Sequence, residues 1–110
     1  MKKLQQVVCF TILCLVPAMA WSAGNAAQGQ KKSAVCQACH GPTGVSLQPI
    51  YPNLGGQHQD YLSMSLRAFR DGSRPNAIMG GFAANLSDED IEDIAAWYAS
   101  QDGLTEIKDK

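Results

Sequence analysis

The chain is 110 residues long, 45% hydrophobic and 17% charged, with a formal net charge of −1. This length fits one domain with a thin core, because small chains bury a smaller share of their surface. The near-neutral balance argues against nucleic acid as a partner, which would call for a basic face.

The first residues are Met1-Lys2-Lys3, an apolar run from Leu4 to Val16, and Pro17-Ala18-Met19-Ala20. A positive start, a short apolar stretch and an Ala-x-Ala site make a secretory signal peptide over residues 1–20, with cleavage expected after Ala20. The apolar run is 13 residues, short of the roughly 20 that span a bilayer, so no stable membrane anchor is expected. Leu13 stands before Cys14 where a lipoprotein signal wants a small residue. Cleavage leaves a domain over residues 21–110 and, by removing Lys2 and Lys3, moves the net charge from −1 to −3. It also removes Cys9 and Cys14, so only Cys36 and Cys39 remain and no disulfide framework is available. Export predicts a periplasmic protein.

Asn25 to Ala38 is rich in Ala, Gln and Lys with helical spacing, and predicts a helix that delivers the cysteines at its end. Gly29 lies inside it at a cost of about 1 kcal/mol against Ala. It is either a tolerated surface glycine or a place where another helix crosses closely. Then comes Cys36-Gln37-Ala38-Cys39-His40. Two thiols one helical turn apart can each add to a porphyrin vinyl group, and a histidine next in line is carried under the iron, so the motif points to a covalent c-type haem. A redox Cys-x-x-Cys would want a β-α-β pattern, which the chain does not show. A zinc site would want a second ligand pair, and only His58 remains. A disulfide between Cys36 and Cys39 gives no account of His40.

Gly41 to Gly56 reads as a loop. An iron-bound histidine donates its other ring N–H to an acceptor, and a carbonyl of Tyr51-Pro52-Asn53-Leu54 is well placed in sequence for that. Gln57 to Asp71 is an amphipathic helix with Leu62, Leu66 and Phe69 on one face, ended by Gly72. His58 and Met64 fall in it; His58 sits at its polar start and reads as solvent-facing, Met64 as packing or surface. Ser73 to Leu86 shows no period and contains Pro75, Gly80 and Gly81, so it reads as a functional loop. Its soft ligand is Met79, taken as the second axial ligand; the competing reading is packing on the haem edge. Ser87 caps a last helix whose acidic first turn complements the dipole, with Ile91, Ile94, Ala95 and Tyr98 as its buried stripe and an end near Gln101. Arg67, Arg70 and Arg74 cluster, and so do Asp88 to Asp93; solvated helix ends explain both without a docking patch.

With these residues assembled, the chain resembles the class I c-type cytochromes, above all the small periplasmic monohaem ones and single domains of the dihaem ones. The resemblance rests on Cys36 to Gly41, on Tyr51-Pro52-Asn53-Leu54 with Gly56 and Gln57, and on Leu86 to Ile91. It implies an all-α fold of three to four helices around one haem, with Gly29 where the first helix crosses the last, against Ile94 and Trp97. It further implies that the Pro52 carbonyl accepts from His40, that Leu54 packs on the porphyrin and that Met79 is the sixth ligand. Relatives often carry a second Met a few residues beyond, where Phe82 stands here. The single Cys-x-x-Cys-His predicts one haem. The function implied is one-electron transfer between redox proteins such as a dehydrogenase, an oxidase or another cytochrome, met transiently, with part of the docking rim at Ile78, Phe82 and Ala83. Two other readings compete: a haem subunit held permanently by a larger dehydrogenase or oxidase, and a peroxidase or gas-binding protein with a labile Met79.

Overall fold

Five helices succeed one another through the described part of the chain, residues 23–104 of this computed structural model: α1 Ala26–Lys32, α2 Ala34–His40, α3 Gln59–Asp71, α4 Ala77–Ala83 and α5 Asp88–Ala99. No strand occurs among the described residues. The signal segment expected over residues 1–20 lies outside them.

Two elements differ in kind from expectation, and α3 begins at Gln59, with His58 as its N-cap, rather than at Gln57. The single N-terminal helix is broken at Ser33, which is fully buried and separates α1 from α2. The Ser33 hydroxyl donates to the Gln30 carbonyl at 3.0 Å and accepts from the Gln37 amide at 3.3 Å. Such short-range side-chain bonds offer the backbone an alternative to a continuous helix. The expected loop over Ser73 to Leu86 contains a seven-residue helix, α4, so Met79 is helical and not in irregular chain. Asn76 opens it, its side chain accepting from the Ile78 and Met79 amides at 3.0 and 2.8 Å.

The core is small. Leu62 of α3 meets Ile94, Ala95 and Tyr98 of α5, and Cys36, Leu54, Leu66, Leu86 and Trp97 pack around them. The expected stripe of α5 is therefore the buried one, with Trp97 at its margin. α1 crosses α5 at Gly29, where a Cβ would stand 1.8 Å from the Asp93 carbonyl oxygen and 2.9 Å from the Trp97 Cβ. Only glycine permits that approach. The contacts at the crossing are Asp93 and Trp97, with Asp93 in the place expected for Ile94.

Polar side chains fasten the helices. Asp93 is 3% exposed; its carboxylate accepts from the Asn25 amide at 2.7 Å and from the Lys32 ammonium at 2.7 Å. Burial works against its charge, but the Lys32 ammonium and the Asn25 N–H outweigh it and hold the carboxyl below the usual range. Across α3 and α5, Arg67 pairs with Glu92 at 2.6 Å and Arg70 with Asp88 at 2.7 Å. Buried Ser63 donates to Glu92 at 3.1 Å. Two of the three clustered arginines, Arg67 and Arg70, thus pair with the acidic run across α3 and α5.

Candidate haem-attachment site

α2 carries both thiols and ends on the histidine. Cys36 and Cys39 are half-buried and unbridged, and lie one turn apart on the same helix. Cys36 packs on the core cluster, and burial pushes its thiol above the usual value. Cys39 lines a shallow depression of ≈ 80 Å³ together with Gln37, Ala38, Leu47 and Tyr51. Gly41 ends the helix, its N–H donating to the Gln37 carbonyl at 2.9 Å.

The chain then loops back under His40. The imidazole is 7% exposed, and its Nδ1 lies 2.8 Å from the Pro52 carbonyl oxygen. A carbonyl oxygen only accepts, so Nδ1 carries the proton, and in the neutral ring Nε2 is left with a free lone pair. The loop is held by its own backbone. The Gly44 carbonyl accepts from Leu54 N at 2.8 Å and Gly55 N at 3.0 Å, and Tyr98 at the end of α5 accepts from Gly56 N at 3.0 Å. Gly44, at φ +82°, has no room for a Cβ, which would stand 2.3 Å from Gly55 N. From α5, the Trp97 indole donates to the Pro42 carbonyl at 3.3 Å. Burial pushes the Tyr98 hydroxyl up to about 12.

The structure therefore brings Cys36, Cys39, His40 and Pro52 into one group, and Cys36 and Leu54 each pack against the core cluster. Met79 stands apart. It is half-buried on α4, whose one helix neighbour among the described residues is α3, while α2 there neighbours α1 alone. His58 and Met64 are exposed. What sequence reasoning missed is polar: Asp93 and Ser63 are core members, and only the crossing of α1 over α5 and the facing of α3 and α5 reveal why.

This donor set fits a porphyrin. Two thiols at helical spacing and a histidine fixed in the Nδ1–H tautomer share one element, and a thioether is held on another that does not touch it. The class the fold and site define is a small all-helical haem protein of the c type, with haem attached through Cys36 and Cys39.

The chain belongs to the cytochrome c family, whose model matches residues 26–102. It is similar to cytochrome c-554(548) of Halomonas halodenitrificans, 54% identical over 83 residues that cover 73% of this chain and all of that protein. Cytochrome c4 of Pseudomonas aeruginosa is 49% identical over 83 residues, covering 76% of this chain and 41% of the relative. Among solved structures, reduced recombinant cytochrome c4 from Pseudomonas stutzeri matches with a TM-score of 0.70 and 44% identity, over 74% of this chain and 48% of that one. The chain thus spans about half the length of the cytochrome c4 proteins it matches. The class I cytochrome fold and membership among electron-transfer haem proteins follow. No helix among the described residues is long and apolar enough to cross a membrane.

Proposed function

We propose that this protein is a periplasmic one-electron carrier whose iron is held by His40 on one side and Met79 on the other. The observation that carries the reading is the 2.8 Å bond from His40 Nδ1–H to the Pro52 carbonyl. It aims a neutral imidazole with its Nε2 lone pair available, and it raises the basicity of that nitrogen.

Haem supplies an iron that alternates between ferric and ferrous. The side chains do the rest. Cys36 and Cys39 would fix the plate to α2, and Leu54 would pack on it from the loop. Met79 offers a neutral, polarizable thioether, and histidine–thioether ligation raises the reduction potential. With His40 and Met79 both holding the iron, no position would be left for a substrate at the metal, which would separate a carrier from a peroxidase or gas-binding protein. The export signal over residues 1–20 places the domain, residues 21–110, outside the cytoplasmic membrane. Its partners are other redox proteins, met in encounters that bury little area.

Optical spectra of the exported protein test this. The oxidised form should show the weak long-wavelength band of thioether-ligated ferric haem, and the reduced form should leave carbon monoxide unbound. Met79→Ala should abolish the band and open the iron to carbon monoxide. Rapid carbon monoxide binding by the unmutated protein would sink the carrier reading and leave the open-iron one.

A further inference from the structure

Past the end of α5 the backbone turns back onto the molecule. Gln101 N–H donates to the Tyr98 carbonyl at 3.2 Å, and Leu104 N–H donates to the Gly55 carbonyl at 3.1 Å. Gly55 is bonded on both edges, since its own N–H donates to the Gly44 carbonyl at 3.0 Å. Three stretches of backbone therefore lie side by side, 43–44, 54–56 and 102–104. The middle one follows directly on Pro52 and Asn53, and Pro52 is the acceptor of the His40 bond.

These layers leave no room for a methyl group. A Cβ on Gly55 would stand 2.6 Å from the Thr43 carbonyl oxygen and 2.7 Å from that of Asp102, so both outer layers close on it together. A Cβ on Gly103 would stand 2.1 Å from the Gly55 carbonyl oxygen. Gly103 is not at a positive φ, so its own conformation does not call for glycine; the closeness of Gly55 does. Leu104 is 58% exposed and lies outside the core cluster and the side chains packed around it. What the segment contributes is backbone: one N–H, and a fit too close for a side chain. Stretches packed at this distance transmit a displacement instead of absorbing it.

We propose that residues 102–104 are a positioning strap for the iron-binding histidine. Through Gly55 they hold the loop in which the Pro52 carbonyl faces His40, and so they set the strength of the Nδ1–H bond and the basicity of the nitrogen offered to iron. The proposal rests on ligation of the iron by His40 and adds a determinant of the reduction potential that lies far along the chain from it.

Two variants release the strap and one leaves it in place. Leu104→Pro removes the N–H on which Gly55 relies, and Gly103→Ala forces the layers apart. Leu104→Ala changes the exposed side chain and keeps the bond. Both positions are exposed, so each variant retains its core and its haem. Redox titration of the haem-loaded protein should show the ferric form disfavoured by about threefold or more in Leu104→Pro and Gly103→Ala, a rise of about 28 mV at 59 mV per tenfold. Leu104→Ala should keep the parent potential. The His40 Nδ1–H, followed by NMR in the reduced state, should exchange with water about tenfold faster or more in the same two variants. A segment that only supports the fold would lower the melting temperature and move neither readout. Parent-like potential and exchange in both Leu104→Pro and Gly103→Ala overturn the strap alone, and so does a Leu104→Ala shifted as far as Leu104→Pro. The His40 ring protons of the unmutated protein test the ligation itself. If they lack the upfield shift that a porphyrin ring current imposes, His40 is not on the iron, and the ligation reading falls together with this proposal.

Discussion

The strength of the His40 bond depends on where the Pro52 carbonyl points, and Asn53 governs that. Its side-chain oxygen accepts from the Ser46 amide at 2.8 Å, tying the 51–54 segment across the loop, beside the paired bonds to the Gly44 carbonyl. Asn53 is exposed, so Asn53→Ala hands Ser46 N–H to water and leaves the fold intact. With His40 on the iron as proposed, a looser carbonyl means a weaker Nδ1–H bond, a less basic imidazole and a less stabilised ferric iron. The midpoint potential should therefore rise, by up to about 60 mV, which is one hydrogen bond of about 1.5 kcal/mol at 59 mV per tenfold. Asn53→Asp keeps the acceptor and should bring the potential back. A redox titration that finds Asn53→Ala unshifted reduces Asn53 to a loop tie without influence on the iron.

At the scale of elements, α5 matters most, because it supplies three of the four residues at the centre of the core. Its start is a capping box: Asp90 N–H donates to the Ser87 hydroxyl and Ser87 N–H to the Asp90 carboxylate, each at 3.0 Å. Ser87→Ala should cost about 0.5–2 kcal/mol, read as a fall in melting temperature of about 4–8 °C per kcal/mol for a domain of this size; an unmoved melting curve would show that packing alone sets the helix start. Ser87 and the Ile91, Ile94, Ala95, Tyr98 stripe were readable because capping and periodicity are local. α3 was readable for the same reason, from Leu62 and Leu66 to the left-handed Gly72 at its end. α4 was not: seven residues are too few to show a period, and Gly80 and Gly81 argue against a helix. Its one signal was Asn76 directly after Pro75, a capping residue ahead of a short apolar run. The site divides along the same line. Cys36, Cys39 and His40 are contiguous and legible from chemistry alone. The part of Pro52 needed a 12-residue loop to close, and the burial of Asp93 needed α1 to lie across α5.

For the whole molecule, the fastening of α1 to α5 makes stability depend on pH in a definite direction. Asp93 faces Lys32 and the Asn25 N–H from α1 and its entry, and Asp90 from its own helix; Asp90 in turn is held below the usual carboxylate range, first by Lys32 and then by its Ser87 bonds. A carboxylate whose value is depressed in the folded state binds its proton more readily unfolded. Its contribution is therefore complete above the ordinary carboxylate value near 3.9 and is lost as pH falls through the lower folded value. Lys32, raised by its hydrogen bonds to Asp93 and Asp90, behaves oppositely: its contribution is complete below the ordinary lysine value near 10.4 and fades only above it. Between these limits the clamp is intact, so the melting temperature of the haem-loaded protein should be flat from about pH 5 to 9 and fall below about pH 4. Under the proposed ligation acid would also detach His40 from the iron, and the clamp must be separated from that event. Asp93→Asn does so, since the amide oxygen still accepts from Asn25 N–H but no longer titrates or draws in Lys32. The variant should be less stable than the parent at pH 7, and the gap should narrow as the pH drops toward 3. A gap of constant size across that range would place the acid sensitivity at the haem ligand and remove it from the helix crossing.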